Sequence, residues 1–123
     1  MARVIIADDE EFVRIFLRDT LKEFCFDVVA EVDNGLDLVE IMREHKPDIL
    51  LLDINMPNLT GKDFLDQYSH NFPETCIIIL TSIASANYIK HERIQAVLRK
   101  DLNILDLMAA IEEAWNQFKE ENW

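Results

Sequence analysis

Asp48-Ile49-Leu50-Leu51-Leu52-Asp53-Ile54-Asn55-Met56-Pro57 is the stretch on which the reading of this chain turns. Four consecutive large apolar residues, Ile49 to Leu52, lie between an acidic residue and a proline-ended loop, the pattern of a strand buried on both faces of a parallel sheet. The run ends in Asp53. Open α/β sheets bind ligands outside the carboxyl ends of their strands, so a carboxylate at that end borders a crevice.

Working outward, four more strands are predicted. Arg3-Val4-Ile5-Ile6-Ala7 stops at Asp8-Asp9-Glu10-Glu11, and Asp27 to Val32 stops at Asp33-Asn34-Gly35. Thr75 to Leu80 ends at Thr81-Ser82, and Gln95 to Arg99 ends at Lys100. Helical periodicity fills the intervals. Phe12, Val13, Phe16, Leu17, Leu21, Phe24 and Cys25 mark a first core-facing stripe, and Leu38, Val39 and Met42 a second behind an Asn34/Asp37 cap. Phe64, Leu65, Tyr68 and Phe72 follow a Thr60/Asp63 cap. Ala84, Ala86, Ile89 and Ile94 suggest a short weak helix within 83–93. Ile104, Leu107, Met108, Ile111, Trp115 and Phe118 follow an Asn103/Asp106 cap. Five strands alternating with five helices give an α/β domain whose parallel sheet is covered on both faces. Right-handed crossovers then gather Asp8, Asp9, Asp53, Thr81 and Lys100 at one edge.

Composition narrows the function classes. The 123 residues, 50% hydrophobic, suit one domain spanning 1–123. With 24 Asp+Glu against 12 Lys+Arg the net charge is −12, which argues against direct nucleic-acid binding by this segment and against anionic membranes. Cys25 and Cys76 lack metal-ligand spacing and lie among apolar residues, so both are expected as buried, reduced thiols. Met1-Ala2-Arg3 runs straight into the first strand and no apolar run reaches membrane-spanning length, so a cytoplasmic location is expected. The three histidines are scattered and read as surface or loop residues, and Trp123 as exposed.

Three carboxylates brought together raise one another's pKa unless a cation neutralises them. Every ligand on offer is an oxygen, which suits a hard ion such as Mg²⁺. Lys100 adds a compact positive charge and Thr81 a hydroxyl, both matched to phosphoryl oxygens, and an aspartate can itself act as nucleophile to form an acyl phosphate.

Asp8-Asp9, then Asp53-Ile54-Asn55-Met56-Pro57 with Gly61, then Thr81-Ser82, then Lys100 resemble, in order and along the whole chain, the receiver domain of two-component response regulators. The resemblance implies a flavodoxin-like, CheY-like fold with strand order 2-1-3-4-5. It implies phosphorelay signalling rather than conventional enzymology: Asp53 as phosphoacceptor from a sensor histidine kinase or phosphotransfer protein, assisted by Thr81 and Lys100. Mg²⁺ would be held by Asp9 and Asp53, by Asp8 through water, and by the backbone carbonyl of Asn55. The partners implied are the phosphodonor, an output domain or partner protein, and a homodimer through the first and last helices or the last helix and fifth strand.

The chain departs from the receiver pattern in places. Val97 stands where receivers place Tyr or Phe, and the span from Thr81 to Lys100 is short and lacks the usual Gly-Ala pair. Asp101 follows the lysine where many receivers have a proline in a cis link, a variant that resembles the NarL type joined to helix-turn-helix output domains. Alternatives are weaker. Phosphatases of the haloacid-dehalogenase type carry a second acid two residues after the nucleophile, where this chain has Asn55. Asp8-Asp9-Glu10-Glu11 would repel a flavin phosphate, and the complete acidic set with Thr81 and Lys100 argues against an inert pseudo-receiver.

Overall fold

The computed structural model describes residues 1–82 and 89–123. Its apolar runs form β1 (Arg3–Ala7), β2 (Asp27–Val32), β3 (Ile49–Asp53), β4 (Cys76–Thr81) and β5 (Ile94–Arg99). The described helices are α1 (Glu11–Glu23), α2 (Gly35–His45), α3 (Gly61–Tyr68), extended by a 3₁₀ turn at Ser69–Asn71, and α4 (Ile104–Asn122). All strands pair in parallel in the order β2-β1-β3-β4-β5, the doubly wound arrangement. Among the described residues no helix is long and apolar enough to cross a membrane.

The continuous apolar runs follow from a sheet covered twice. Successive side chains alternate between faces. Val4, Ile6, Leu51, Ile78 and Leu80 therefore pack with Leu17, Leu21, Leu107, Ile111 and Phe118 of α1 and α4. Ile5, Leu50, Leu52, Ile77 and Ile79 pack with Leu38, Met42, Phe64 and Leu65 of α2 and α3.

The three expected caps form: Asn34, Thr60 and Asn103 each accept from the backbone N–H three residues on. Thr60 and Asp63 make a reciprocal capping box.

The first helix differs from its expected stripe. It ends at Glu23, and Phe26 N–H reaches back to Leu21 O (3.0 Å) while Cys25 N–H bonds Lys22 O (3.2 Å). That is a Schellman closure, with Cys25 in the left-handed position at φ 66. Cys25 is consequently exposed, whereas Cys76 is buried as expected and burial pushes its thiol pKa up to about 12. Phe12 is 78% exposed and Phe16 and Phe24 39%, so only the Leu17, Thr20 and Leu21 positions of α1 are fully inside. Ile104 at the head of α4 is also exposed. Of the weak helix expected within 83–93, residues 83–88 lie outside the described residues. Residues 89–93 are loop and turn, with Arg93 donating to the carbonyls of Phe72 (2.7 Å) and Thr75 (3.0 Å). The Lys100–Asp101 peptide is trans. Trp123 is exposed, and Trp115 is half-buried, stacked on Phe118. His91 lies in a loop, as expected, but is mostly buried there, its Nε2 3.5 Å from Asp66.

Candidate functional site

Strand register levels the carboxyl ends of β1, β3, β4 and β5. Ala7 pairs with Leu52, Asp53 with Leu80, and Thr81 with Arg99, so Asp8, Asp53, Thr81 and Lys100 emerge at one height. Asp8 is fastened by its N–H to Val32 O (3.0 Å), and its Oδ1 accepts from Glu10 N–H (2.9 Å). Arg14 of α1 reaches the Asp8 carbonyl (2.8 Å), tying the head of that helix to the strand end. Asp53 Oδ1 accepts from Asn55 N–H (3.1 Å), an Asx-type turn that starts the following loop. That loop is closed by Gly61, whose N–H bonds Ile54 O (3.0 Å). A β-carbon at Gly61 would stand 2.7 Å from Ile54 Cα and 2.8 Å from Asp53 O, so only glycine lets α3 begin this close to the site.

One ammonium serves several carboxylates. Lys100 Nζ lies 2.7 Å from Asp8 Oδ2, 3.5 Å from Asp53 Oδ2 and 3.5 Å from Glu10 Oε1. Its backbone N–H donates to Thr81 O (2.8 Å), which holds β5 to β4 at the site. Burial opposes the Lys100 charge, but the hydrogen bond and charge of Asp8, with Asp53 and Glu10 behind, outweigh it and raise its pKa. Asp53 is driven above the usual carboxylate range, chiefly by burial; the Asn55 N–H and Lys100 oppose the rise, and Asp8 and Asp9 add to it.

Two sealed polar atoms are short of regular hydrogen-bond partners among the described residues. Thr81 Oγ1 is sealed from solvent and has no hydrogen-bond partner among the described residues. Asp8 Oδ2 is likewise sealed, and its close partner among the described residues is the Lys100 ammonium at 2.7 Å. Carboxylate oxygens of Asp8, Asp9 and Glu10 gather within 4.8 Å of one another. An all-oxygen set with excess negative charge, a sealed acceptor and a buried carboxyl short of compensation fits a hard divalent cation.

The predicted residues are thus brought together, with Asp9 exposed at the rim and influencing Asp53, and Asn55 exposed one turn beyond it. Sequence reading missed Glu10. Its adjacency to Asp8-Asp9 was visible, but its approach to Lys100, ninety residues away, was not.

The profile of the response regulator receiver domain matches residues 4–112. The chain belongs to that family. This receiver is 33% identical over 121 residues to the transcriptional regulatory protein PdtaR of Mycobacterium tuberculosis, covering 96% of this chain and 58% of that protein. It is 35% identical over 89 residues to the chemotaxis protein CheY of Listeria monocytogenes, covering 72% of this chain and 75% of that one. A solved DNA-binding response regulator of the LuxR family from Staphylococcus aureus superposes with a TM-score of 0.82 at 27% identity, over 94% of this chain and 99% of that chain. The receiver spans a little over half the length of its Mycobacterium relative.

Proposed function

We propose that this receiver accepts a phosphoryl group on Asp53 from a phosphohistidine of a sensor histidine kinase or phosphotransfer protein, or from a small acyl phosphate. The observation that carries the reading is the division of labour at Asp53: Asn55 N–H steadies Oδ1 while Oδ2 faces the Lys100 ammonium at 3.5 Å. In transfer, an Asp53 oxygen forms a bond to phosphorus as the phosphorus–nitrogen bond of phosphohistidine breaks, and the imidazole leaves with that electron pair. Thr81 Oγ1, without a partner among the described residues, would donate to a phosphoryl oxygen, and Lys100 would neutralise another.

Mg²⁺ is the cation this donor set suits, held by Asp9 and Asp53, by Asp8 through water and by the Asn55 carbonyl; it would neutralise the carboxylates and orient the incoming phosphate. The protein assists its own phosphorylation and dephosphorylation and turns over no separate substrate. We read residues 1–123 as one unit that controls an output domain or partner protein. A protein donor is favoured by an apolar groove of about 220 Å³ beside the site, lined by exposed Phe12 and Phe16 together with Leu102, Leu107 and Lys100.

Incubation with acetyl phosphate and Mg²⁺, followed by intact mass, tests the reading. A single phosphoryl adduct is expected in wild type, none in Asp53→Asn and none in EDTA. An adduct that persists in Asp53→Asn, or none in wild type, overturns it.

A further inference from the structure

Four carboxylates, Asp8, Asp9, Glu10 and Asp53, meet at the strand ends, and Lys100 is the one ammonium that pairs with them among the described residues. Three of them contact it, and they are not equivalent. Asp8 and Asp53 are buried and belong to the cation and phosphoryl chemistry argued above. Glu10 is different. Its backbone is fixed, with its N–H on Asp8 Oδ1 (2.9 Å) and its carbonyl accepting from Arg14 N–H (3.1 Å) as the first bond of α1. Its side chain makes no capping bond to the helix it precedes, and its carboxylate instead lies 3.5 Å from Lys100 Nζ, more than half exposed.

We infer that Glu10 is a positioning residue: it shares Lys100 with Asp53 in the resting receiver and releases it when Asp53 is phosphorylated. The inference rests on the proposed role of Asp53. An ammonium has three donors, and Asp8, Asp53 and Glu10 already offer three acceptors in the resting chain. A phosphoryl group carries nearly two negative charges and three strong acceptor oxygens, so its arrival displaces one of the three. Glu10 is the partner held most loosely: it is longer than Asp8 in distance and, unlike Asp53, is hydrated once released. Its charge therefore acts before transfer. It holds the ammonium shared and repels an anionic donor, and it costs little to discard afterwards.

The test is Glu10→Gln, which keeps the length of the side chain and removes its charge. Three measurements are made on it and on wild type. The Lys100 ε-methylene shifts in NMR spectra are expected to move in the unphosphorylated variant and to coincide with wild type once both are phosphorylated. The rate of phosphorylation by acetyl phosphate is expected to rise about two- to five-fold at low salt, the size of a part-exposed ion pair, and the gain to shrink as salt screens it. Mg²⁺ affinity is expected to stay within about two-fold, because the proposed ligands Asp9, Asp53, Asp8 through water and the Asn55 carbonyl are all retained in the variant. Glu10→Asp, which retains the charge, is expected to restore most of the wild-type rate.

Unmoved Lys100 shifts in the resting variant, or a large loss of Mg²⁺ affinity, overturn the inference, the latter by making Glu10 a metal ligand. The resting NMR comparison needs no phosphorylation. Moved shifts with no adduct in wild type would therefore strike the Asp53 reading, whereas unmoved shifts with a normal adduct would strike only Glu10.

Discussion

Asp53 carries its charge at a cost. Burial and the neighbouring Asp8 and Asp9 raise its pKa above the ordinary 3.8 despite Asn55 N–H and Lys100. A carboxyl whose pKa is raised by folding keeps its proton in the native chain after the unfolded chain has lost it, so stability falls as pH rises from about the unfolded value through the folded one. Asp53→Asn is therefore expected to approach wild type in stability below the ordinary 3.8 and to exceed it by a margin that opens as pH rises through the raised folded value and then levels, melting a few degrees higher in EDTA. Urea titrations across that range check it; a difference that does not grow with pH sinks the assignment. The Lys100 shift has the opposite form: its stabilisation is complete below the ordinary 10.5 and is lost only as pH rises through the higher folded value, so it contributes no slope in this window. The two thiols give a second residue-scale expectation. Exposed Cys25 should be alkylated in the native protein, whereas Cys76, buried and with its pKa pushed up to about 12, should react only after unfolding. Intact mass before and after denaturation would show one adduct and then two.

At the scale of elements, the ends of helices are where single changes should tell. Cys25 occupies the left-handed C′ position of the α1 closure at φ 66, where a β-carbon is strained. Cys25→Gly should stabilise the fold by about 0.5–1 kcal/mol, since relief of the β-carbon outweighs the added freedom of the unfolded chain. Thr60→Ala removes the α3 capping box and should cost about 1 kcal/mol. Chemical denaturation of the two variants checks both signs. The caps at Asn34, Thr60 and Asn103 were legible because a cap is a local pattern of side chain and backbone three residues apart. The central strands β1, β3 and β4 were legible because a strand covered on both faces leaves little room for polar residues. The facing of α1 was not. Phe12 and Phe16 follow the same helical period as Leu17 and Leu21, and periodicity cannot tell a stripe that faces the core from one that turns partly toward a groove at the sheet's end. Similarly, nothing near Glu10 announces Lys100, because their meeting depends on β1 and β5 ending level across two intervening strands.

Across the whole molecule, the net charge of −12 and the local crowding of carboxylates make two separable demands on counterions. The diffuse charge is screened by any salt, over about 8–10 Å at physiological strength, so sodium chloride should raise the melting temperature gradually and without saturation at low concentration. The strand-end site asks for something else. Asp8 Oδ2 is sealed and Asp53 is under-compensated, so a divalent ion bound there in the native state alone should stabilise by mass action, about 2.7 kcal/mol at a hundred-fold excess over its dissociation constant. Melting curves with MgCl₂ at ionic strength matched by NaCl separate the two demands. The Mg²⁺ curve should rise above the NaCl curve and follow a single-site isotherm, and that excess should disappear in Asp9→Asn, whose exposed carboxylate supports no core packing. If the matched curves coincide in wild type, the carboxylates are neutralised by Lys100 alone and the site holds no divalent ion. If the excess survives in Asp9→Asn, the ion sits elsewhere on the acidic surface and Asp9 is not its ligand.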